Sequence, residues 1–224
     1  MRRLPRAVQA VIFDMDGLLV DSERIYRDAM MQVSTDFGRD LPLPVFLSMV
    51  GTPHDHSRGL AMAHFGADFA YDDWHDAVVL NAHARIPDEL ELKAGVLELL
   101  EDLEATGTPR AVATSSSHRT VALQLDPPGL TPRFQTIVAN GDYTRGKPSP
   151  DPFLVAAARL GVAPAACLAL EDSHNGVRAA HAAGMMTIMV PDLLPATAEM
   201  QGLCLAIVDS LHDVCRLLRD SVRV

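Results

Sequence analysis

The sequence lacks the features that mark secreted, disulfide-bonded or membrane proteins. Its three cysteines, Cys167, Cys204 and Cys215, are sparse, odd in number and irregularly spaced. That pattern excludes a disulfide framework and fits free thiols in a reducing compartment. The arginine-rich segment MRRLPRAVQA has no apolar segment behind it, and carboxylates interrupt the apolar run that follows. We therefore predict no signal peptide and no membrane span, and we expect a cytoplasmic protein.

An excess of basic charge is also missing. The chain has 19 basic and 29 acidic residues, a net charge of −10. Partners that need a basic surface, such as nucleic acids and anionic membranes, are therefore not expected. A small anionic substrate remains compatible, because local groups and a metal ion can reverse the field inside a pocket. With 224 residues, 48% of them apolar, the chain is long enough for one domain, or for a core with an inserted piece.

Short apolar runs alternate with amphipathic stretches over the last two-thirds of the sequence. This alternation predicts a parallel sheet with helices on both faces, a Rossmann-like α/β fold. The segment VQAVIFD precedes this region and is predicted as the first strand. The predicted later strands are 110–116, 134–140, 166–173, 185–190 and 203–208. The predicted helices between and after them are 95–107, 150–161, 175–184 and 211–220.

The segment from about residue 22 to 87 differs from the rest. Four helical stretches separated by glycine and proline turns fill it, and no convincing strand pattern occurs. We interpret it as an all-helical cap inserted after the first strand. The predicted domains are therefore an α/β catalytic core, residues 1–20 and 88–224, and a helical cap, residues 21–87.

Polar side chains gather where four predicted strands end. In an open parallel sheet, ligands bind at the carboxyl ends of the strands. Carboxylates, hydroxyls and one lysine together suit a hard cation such as Mg²⁺ with a phosphate group beside it. The acids after the first strand are then tolerated because a metal ion and the lysine offset their charge. The polar residues at these strand ends are Asp14, Asp16, Gly17, Thr114, Ser115, Ser116, Lys147, Glu171, Asp172 and Ser173.

Four motifs occur in order: DMDGLLVDSE, VATSSS, GKPSPDPF and LEDSHNGVRAAHAAG. With them the chain resembles the haloacid dehalogenase-like phosphohydrolase superfamily over nearly its whole length. It is most similar to the group of phosphatases and beta-phosphoglucomutase, which carry a helical cap after the first strand. The resemblance implies a Mg²⁺-dependent enzyme that acts on a small phosphorylated molecule. We expect a monomer, since the implied site draws on one chain only.

The resemblance also implies roles for individual acids. Asp14 is the implied nucleophile, which forms an aspartyl-phosphate. Asp16 is the implied acid and base, and in the family its backbone carbonyl binds the metal, which leaves its carboxyl free to move a proton. Asp172 is the implied side-chain metal ligand, and Glu171 is an additional or more distant one. The implied metal residues are thus Asp14, Asp16, Glu171 and Asp172.

The implied substrate-binding residues are Gly17, Thr114, Ser115 and Lys147. The Thr114 hydroxyl and the Ser115 amide would hold the phosphoryl oxygens. Lys147 would neutralise charge on both Asp14 and the phosphate, so Thr114 and Lys147 are counted as catalytic as well. Such positioning and charge stabilisation is what phosphoryl transfer needs.

The sequence also bears on alternative reactions. Dehalogenases of the superfamily lack the second aspartate, which is present here as Asp16. A phosphonate-cleaving enzyme needs a cap lysine, and residues 22–87 contain none. The stretch GDYTRGKP has the glycine spacing of a nucleotide-binding loop, but Pro148 replaces the hydroxyl that Mg²⁺ requires.

Two alternatives to a phosphatase stay open on the sequence alone. One is a phosphosugar mutase, although Tyr26 occupies the position of the histidine found in the beta-phosphoglucomutase group. The other is a phosphate-binding protein without activity on the same fold, because a fold does not guarantee a reaction.

Overall fold

The computed structural model describes residues 4–52 and 54–222. Strands and helices alternate after the first strand and its helical insert, as the sequence pattern predicts. The strands are β1 Ala10–Phe13, β2 Arg110–Ser117, β3 Thr136–Asn140, β4 Cys167–Glu171, β5 Met186–Met189 and β6 Ala206–Ile207. The helices are α1 Ser22–Asp36, α2 Leu43–Met49, α3 His54–Phe65, α4 Tyr71–Glu89, α5 Val96–Ala105, α6 His118–Leu125, α7 Asp151–Leu160, α8 His174–Ala182, α9 Ala198–Leu203 and α10 Leu211–Val222.

The six strands form one sheet in the order β3-β2-β1-β4-β5-β6, and every pairing is parallel. The predicted α/β fold class is confirmed. The chain moves from β1 to β2 on one side, and later places β4 on the other side of β1. The topological switch point therefore lies between β1 and β4, where ligands bind in sheets of this type. None of the helices in the described part of the chain is long and apolar enough to cross a membrane.

The register of the central strands determines which polar residues meet. Phe13 pairs with Leu170, so that Asp14 and Glu171 follow next on adjacent strands. The Asp14 amide also donates a hydrogen bond to the carbonyl of Leu170, over 2.9 Å. The two acidic motifs are therefore brought together by backbone pairing, before any side-chain interaction is considered.

Side chains of β1 alternate between two apolar layers, one on each face of the sheet. Val11 and Phe13 pack into the layer that contains residues of α5 and α10, whereas Ala10 and Ile12 pack into the layer beneath α7 and α8. All four residues are fully buried. A strand buried on both faces needs such a continuous apolar run, and this explains why AVIF carries no polar residue.

Helices α1 to α4 make a separate apolar cluster of their own, which includes Ile25, Phe46 and Trp74. Trp74 is the largest fully buried side chain, and its indole N–H donates to the Ser34 hydroxyl over 3.0 Å. We call residues 22–89 the helical insert, because α4 continues through Glu89. The division into core and cap domains at the predicted residues stays a prediction.

The predicted last strand, 203–208, is shorter in the structure. Leu203 ends helix α9, and only Ala206 and Ile207 pair with β5. The Thr197 hydroxyl caps α9 by accepting from the Met200 amide over 3.4 Å, so the chain forms a helical turn where apolar periodicity predicted a strand. Helix α6 was not predicted, and it is capped in the same way by Ser117.

Candidate active site

The carboxyl edge of the sheet faces the helical insert across a cavity of about 550 Å³. Residues after β1, β2, β3 and β4 line its floor, and residues of α1 to α4 line the opposite wall. This volume is in the range of small-molecule sites. Cavity and topological switch point coincide, which identifies this cleft as the candidate active site.

Lys147 lies between two carboxylates at the floor of the cavity. Its ammonium contacts Asp14 Oδ1 and Glu171 Oε1, and its side chain is 7% exposed. The ammonium also lies 5.0 Å from the centre of the Phe153 ring. A buried ammonium needs such partners, because desolvation is otherwise unfavourable. Lys147 therefore has one fixed position, beside the predicted nucleophile.

Glu171 is held by several donors and is completely buried. Its Oε2 accepts from the amides of Asp172 and Ser173, each over 3.1 Å, and from the Ser173 hydroxyl over 3.0 Å. Gly176 leaves the space for this carboxylate, since a Cβ at that position would lie 1.7 Å from Glu171 Oε1. Glu171 thus fixes Lys147 and the start of α8, and most of its acceptor capacity is already used.

Asp172 is the acid whose charge is least compensated. It is 7% exposed, and its carboxylate accepts no hydrogen bond from any residue that the structure describes. Gly17 has a φ of +77°, and a Cβ there would lie 2.4 Å from Asp172 Oδ2. Oxygen atoms of Asp14, Glu171 and Asp172 lie within 4.8 Å of one another. Three buried carboxylates with a single ammonium as counter-charge fit a hard divalent cation.

Asp16 has a different environment, made of hydroxyl groups. Ser22 donates to Asp16 Oδ1 over 2.7 Å, and Ser116 donates to Oδ2 over 2.8 Å. The Thr114 hydroxyl lies 3.5 Å from the same Oδ2 and accepts from the Ser116 amide over 3.0 Å. Asp16 makes no ion pair within the described residues, so its carboxyl is positioned by neutral groups and can exchange a proton with a substrate.

Burial and mutual repulsion shift the titration of the acids at the floor. Burial, together with the charges of Glu171 and Asp16, raises the pKa of Asp14 to about 7, although Lys147 acts in the opposite direction. Burial and the neighbouring acids also raise the pKa of Asp172 above its ordinary value. Burial acts against the charge on Lys147, but Asp14 and Glu171 raise its pKa above the ordinary value. The floor therefore contains more negative charge than one ammonium can offset.

The helical insert contributes two titratable groups of α1 to the cavity, Glu23 and Tyr26. Burial and the charges of Asp16 and Asp192 raise the pKa of Glu23 to about 8. Burial, Asp16 and Glu23 also raise the pKa of Tyr26 above its ordinary value. Tyr26 is therefore a neutral phenol at physiological pH, which can donate a hydrogen bond.

Among the described residues, one hydrogen bond connects the insert to the start of α8, beside the acids at the floor. The Asn175 amide donates to the Gly51 carbonyl over 2.7 Å, and Arg178 fixes the Asn175 oxygen over 2.9 Å. Both Gly51 and Asn175 line the cavity. The loop between α2 and α3 is thereby held against the core at the edge of the cleft.

All residues predicted for the site lie at the carboxyl edge of the sheet. The structure brings Asp14, Lys147, Glu171 and Asp172 together, and places Asp16 with Thr114 next to them; Ser115 is exposed to the cavity. Gly17 makes room for Asp172. Their roles in catalysis stay predictions.

Sequence reasoning missed four residues of the site: Ser22, Glu23, Tyr143 and Asn175. Ser22 and Glu23 belong to the quoted motif DMDGLLVDSE, which was the available signal. Tyr143 donates to the Thr114 carbonyl over 3.1 Å. Asn175 belongs to the quoted motif LEDSHNGVRAAHAAG, but its partner Gly51 is distant in sequence, as Thr114 is for Tyr143.

Comparison with known proteins agrees with this geometry. The family model for haloacid dehalogenase-like hydrolases matches residues 11–190. The chain belongs to this family. It is 34% identical to a protein named probable pseudouridine-5′-phosphatase of Drosophila melanogaster, over 84% of this chain and 83% of that protein. It is 29% identical to the phosphorylated carbohydrates phosphatase of Thermotoga maritima, over 81% of this chain and 84% of that one.

A solved structure of the same family is similar throughout. CbbY from Rhodobacter sphaeroides, in complex with phosphate, superimposes with a TM-score of 0.79 at 27% identity. The match covers 92% of this chain and 96% of CbbY. This haloacid dehalogenase-like hydrolase thus shares both the sheet and the helical insert region with a phosphate-binding relative.

Proposed function

We propose that the chain is a Mg²⁺-dependent phosphomonoester hydrolase, which acts through an aspartyl-phosphate on Asp14. The supporting observation is the pairing of Asp14 with Lys147 at the topological switch point, with Asp16 held nearby by hydroxyls. It is a phosphatase of the haloacid dehalogenase-like family. Its substrate is a small phosphorylated metabolite, such as a sugar phosphate.

The donor set fits Mg²⁺, which prefers carboxylate and carbonyl oxygens. The side chains of Asp14 and Asp172 and the backbone carbonyl of Asp16 would hold the ion. Glu171 is a more distant support, because Lys147 and three donors already engage its oxygens. When bound, the ion supplies positive charge that orients the phosphate and offsets its negative charge.

In the first step, an Asp14 oxygen attacks phosphorus, and the bond from phosphorus to the leaving oxygen breaks. Lys147 already contacts Asp14 Oδ1, so it keeps the nucleophile oriented and neutralises charge on the phosphoryl group. Asp16 gives its proton to the leaving oxygen. The Thr114 hydroxyl and the region of Ser115 hold the remaining phosphoryl oxygens at the end of β2.

In the second step, Asp16 removes a proton from water, which attacks the phosphorus of the aspartyl-phosphate. The products are inorganic phosphate and free Asp14, with the proton on Asp16 for the next cycle. Hydroxyls of Ser22 and Ser116 keep Asp16 in position through both proton transfers. Splitting one displacement into two easier steps is the general advantage of a covalent intermediate.

The helical insert acts as a cap, which excludes bulk water and contacts the leaving group. Its wall completes the cavity, and the bond between Asn175 and Gly51 holds it against the core. The relatives named above act, by their names, on pseudouridine 5′-phosphate and on phosphorylated carbohydrates. Both names describe phosphate esters of sugar-containing molecules, which supports a substrate of that kind here.

Hydrolysis is favoured over phosphosugar mutase activity by the character of Tyr26. A mutase must control the proton of a sugar hydroxyl that attacks the aspartyl-phosphate. Tyr26 lines the cavity at the position where the beta-phosphoglucomutase group has a histidine, and a phenol does not act as a base at neutral pH. We therefore propose that Asp16 activates water, which accepts the phosphoryl group from Asp14.

The test is phosphate release with Mg²⁺ from a panel of sugar phosphates, nucleoside monophosphates and short acid phosphates. We expect release by the wild type and none above background by Asp14→Asn, with Asp126→Asn as a control at an exposed acid. No release by folded, Mg²⁺-bound wild type would contradict the proposal. The mutase would then be tested with a hexose 1-phosphate and a bisphosphate primer.

A further inference from the structure

The cavity contains little positive charge for a site that is proposed to bind phosphate esters. Lys147 is the one lysine or arginine among the described residues that line it. Four carboxylates share the lining: Asp14, Asp16, Glu23 and Asp172. A divalent cation and Lys147 together carry three positive charges, and the phosphoryl group of a substrate already requires them. No further cation is available there for a second anionic group.

Arginines of the helical insert do not compensate, since none of them lines the cavity and four of the five contact neighbouring acids. Arg58 contacts Asp72 over 2.5 Å and lies over the Tyr71 ring, 5.3 Å from its centre. Arg85 makes two hydrogen bonds of 2.9 Å to Glu89. Neither arginine lines the cavity.

Two histidines on the insert wall, His54 and His75, are the remaining groups that could carry positive charge. Their rings lie edge to face, with centres 4.9 Å apart. Burial and the neighbouring His54 lower the pKa of His75. Each ring also lies beside an acid, with His54 Nδ1 3.6 Å from Asp55 and His75 Nδ1 3.8 Å from Asp76. The lowered pKa of His75 favours its neutral ring, so His75 adds little positive charge to the wall.

Glu23 is an acid of the insert wall that lacks a hydrogen-bond partner among the described residues. Its partly buried carboxyl lines the cavity and makes no hydrogen bond or ion pair within the described part of the chain. Partly buried carboxyls are normally hydrogen-bonded. As a carboxylate it repels an anion and accepts hydrogen bonds, and as a neutral acid it supplies no positive charge. The carboxylate form therefore favours a hydroxyl or N–H over an anionic group.

Apolar side chains form much of the remaining insert wall. Such a wall contacts the face of a ring or a carbon chain, and desolvates any charge placed against it. These residues are Met30, Phe46, Met49, Val50, Val78 and Val79.

We infer that this phosphatase selects phosphomonoesters whose leaving group is uncharged, donates a hydrogen bond to Glu23 and lays an apolar face against the insert wall. Esters that carry a second phosphate or a carboxylate are discriminated against. The inference rests on the proposed function, because it concerns the leaving-group half of the same site. It defines Glu23 as a specificity-determining residue.

The experiment compares matched pairs that differ in one anionic group. Glycerol 3-phosphate is paired with 3-phosphoglycerate, and ribose 5-phosphate with ribose 1,5-bisphosphate. Binding to Asp14→Asn protein in Mg²⁺ is measured by calorimetry, and kcat/KM is measured for the wild type. In each pair, we expect the ester with the uncharged leaving group to bind at least about tenfold more tightly, since like-charge contacts are strongly unfavourable.

A second variant tests Glu23 itself. In the Asp14→Asn background at pH 9, where Glu23 with its pKa of about 8 is mainly a carboxylate, Glu23→Gln is expected to reduce the ratio of the two Kd values at least about threefold. Glu98→Gln, at an exposed glutamate outside the cavity, is expected to leave the ratio unchanged. An unchanged ratio in Glu23→Gln would overturn the role of Glu23.

The outcomes separate the inference from the proposed function. Equal or tighter binding of the anionic members, or no binding of either member, overturns the inference. Preferential binding of the uncharged members without phosphate release by the wild type would overturn the proposed phosphatase and leave the inference standing. Phosphate release by the wild type together with tighter binding of the anionic members would overturn the inference and leave the proposed phosphatase standing.

Discussion

The floor of the cleft contains two carboxyl environments with different chemical consequences. Asp14 is buried beside an ammonium and two further acids, whereas Asp16 is surrounded by hydroxyl donors. Hydrogen bonds from neutral groups orient Asp16 without pairing it to a cation. The adjacent aspartates of one motif can therefore divide the work, one as nucleophile and one as proton carrier.

Ser22 is the residue whose contribution to this division is most directly testable. It is fully buried, and its hydroxyl donates to Asp16 Oδ1 over 2.7 Å. A hydrogen bond to a charged group contributes about 1.5–3 kcal/mol, so we expect Ser22→Ala to lower kcat about tenfold or more with little change in KM. Steady-state kinetics on the preferred substrate measures this.

The control for Ser22 is Ser48→Ala, which removes an exposed hydroxyl that bonds only to its own helix. Its kcat should equal that of the wild type. If Ser22→Ala retained full kcat while its Tm fell, Ser22 would be a structural residue and its proposed positioning of Asp16 would be wrong.

At the scale of elements, the start of α8 connects the acidic motif to the lysine. Ser173 caps the helix by accepting from the Gly176 amide over 3.1 Å, while its hydroxyl donates to Glu171. Glu171 in turn contacts Lys147. The start of helix α8 therefore determines where the Lys147 ammonium lies relative to Asp14.

Gly176→Ala tests this connection. A methyl group there would overlap the Glu171 carboxyl, with the closest atom at 1.7 Å, so the carboxyl must move away from Lys147. We expect Gly176→Ala to lower Tm by several degrees and to reduce kcat/KM at least about tenfold. Thermal unfolding and kinetics on the same preparation measure both effects.

Gly59→Ala is the matched control for that change. Gly59 is an exposed position inside helix α3, and a Cβ there meets no atom within 4 Å. Alanine is favoured over glycine in helices by about 0.5–1 kcal/mol, so Tm should stay equal or rise slightly. A comparable loss of Tm in both variants would show that helix α8 does not specifically position Glu171.

At the scale of the whole molecule, the group of buried acids makes stability depend on pH and on metal. The pKa of Asp14 is raised from 3.8 to about 7, mainly by burial. Over that range the folded chain binds more protons than the unfolded chain. The stability contributed by protonated Asp14 is therefore present at low pH, and is lost as pH rises through about 7.

We expect the Tm of the metal-free protein in EDTA to decrease between pH 5 and 8 more for the wild type than for Asp14→Asn. Added Mg²⁺ should raise Tm more at pH 8 than at pH 5, since metal and protons compete for the same oxygens. Thermal unfolding at several pH values, with and without Mg²⁺, tests this. A Mg²⁺ effect that is independent of pH would contradict the proposed ligands.

Much of the fold could be predicted from local pattern. The apolar runs before Asp14 and Glu171 are long enough to identify buried strands, and their alternation with helices indicates a parallel sheet. The start of the last strand could not be predicted correctly, because Leu203 and Cys204 are apolar in either conformation. The cap at Thr197 and pairing with β5 decided between helix and strand there.

The sequence by itself determined the family, the parallel α/β core and the residue types at its carboxyl edge, because each motif is short and continuous. Only the tertiary structure decided that Asn175 meets Gly51, 124 positions away in the chain, and that Ser22 orients Asp16. It also decided that Glu23 has no hydrogen-bond partner within the described part of the chain, and that the insert's arginines lie outside the cavity. Such properties depend on which surfaces face each other after folding, and no local pattern of residues encodes that.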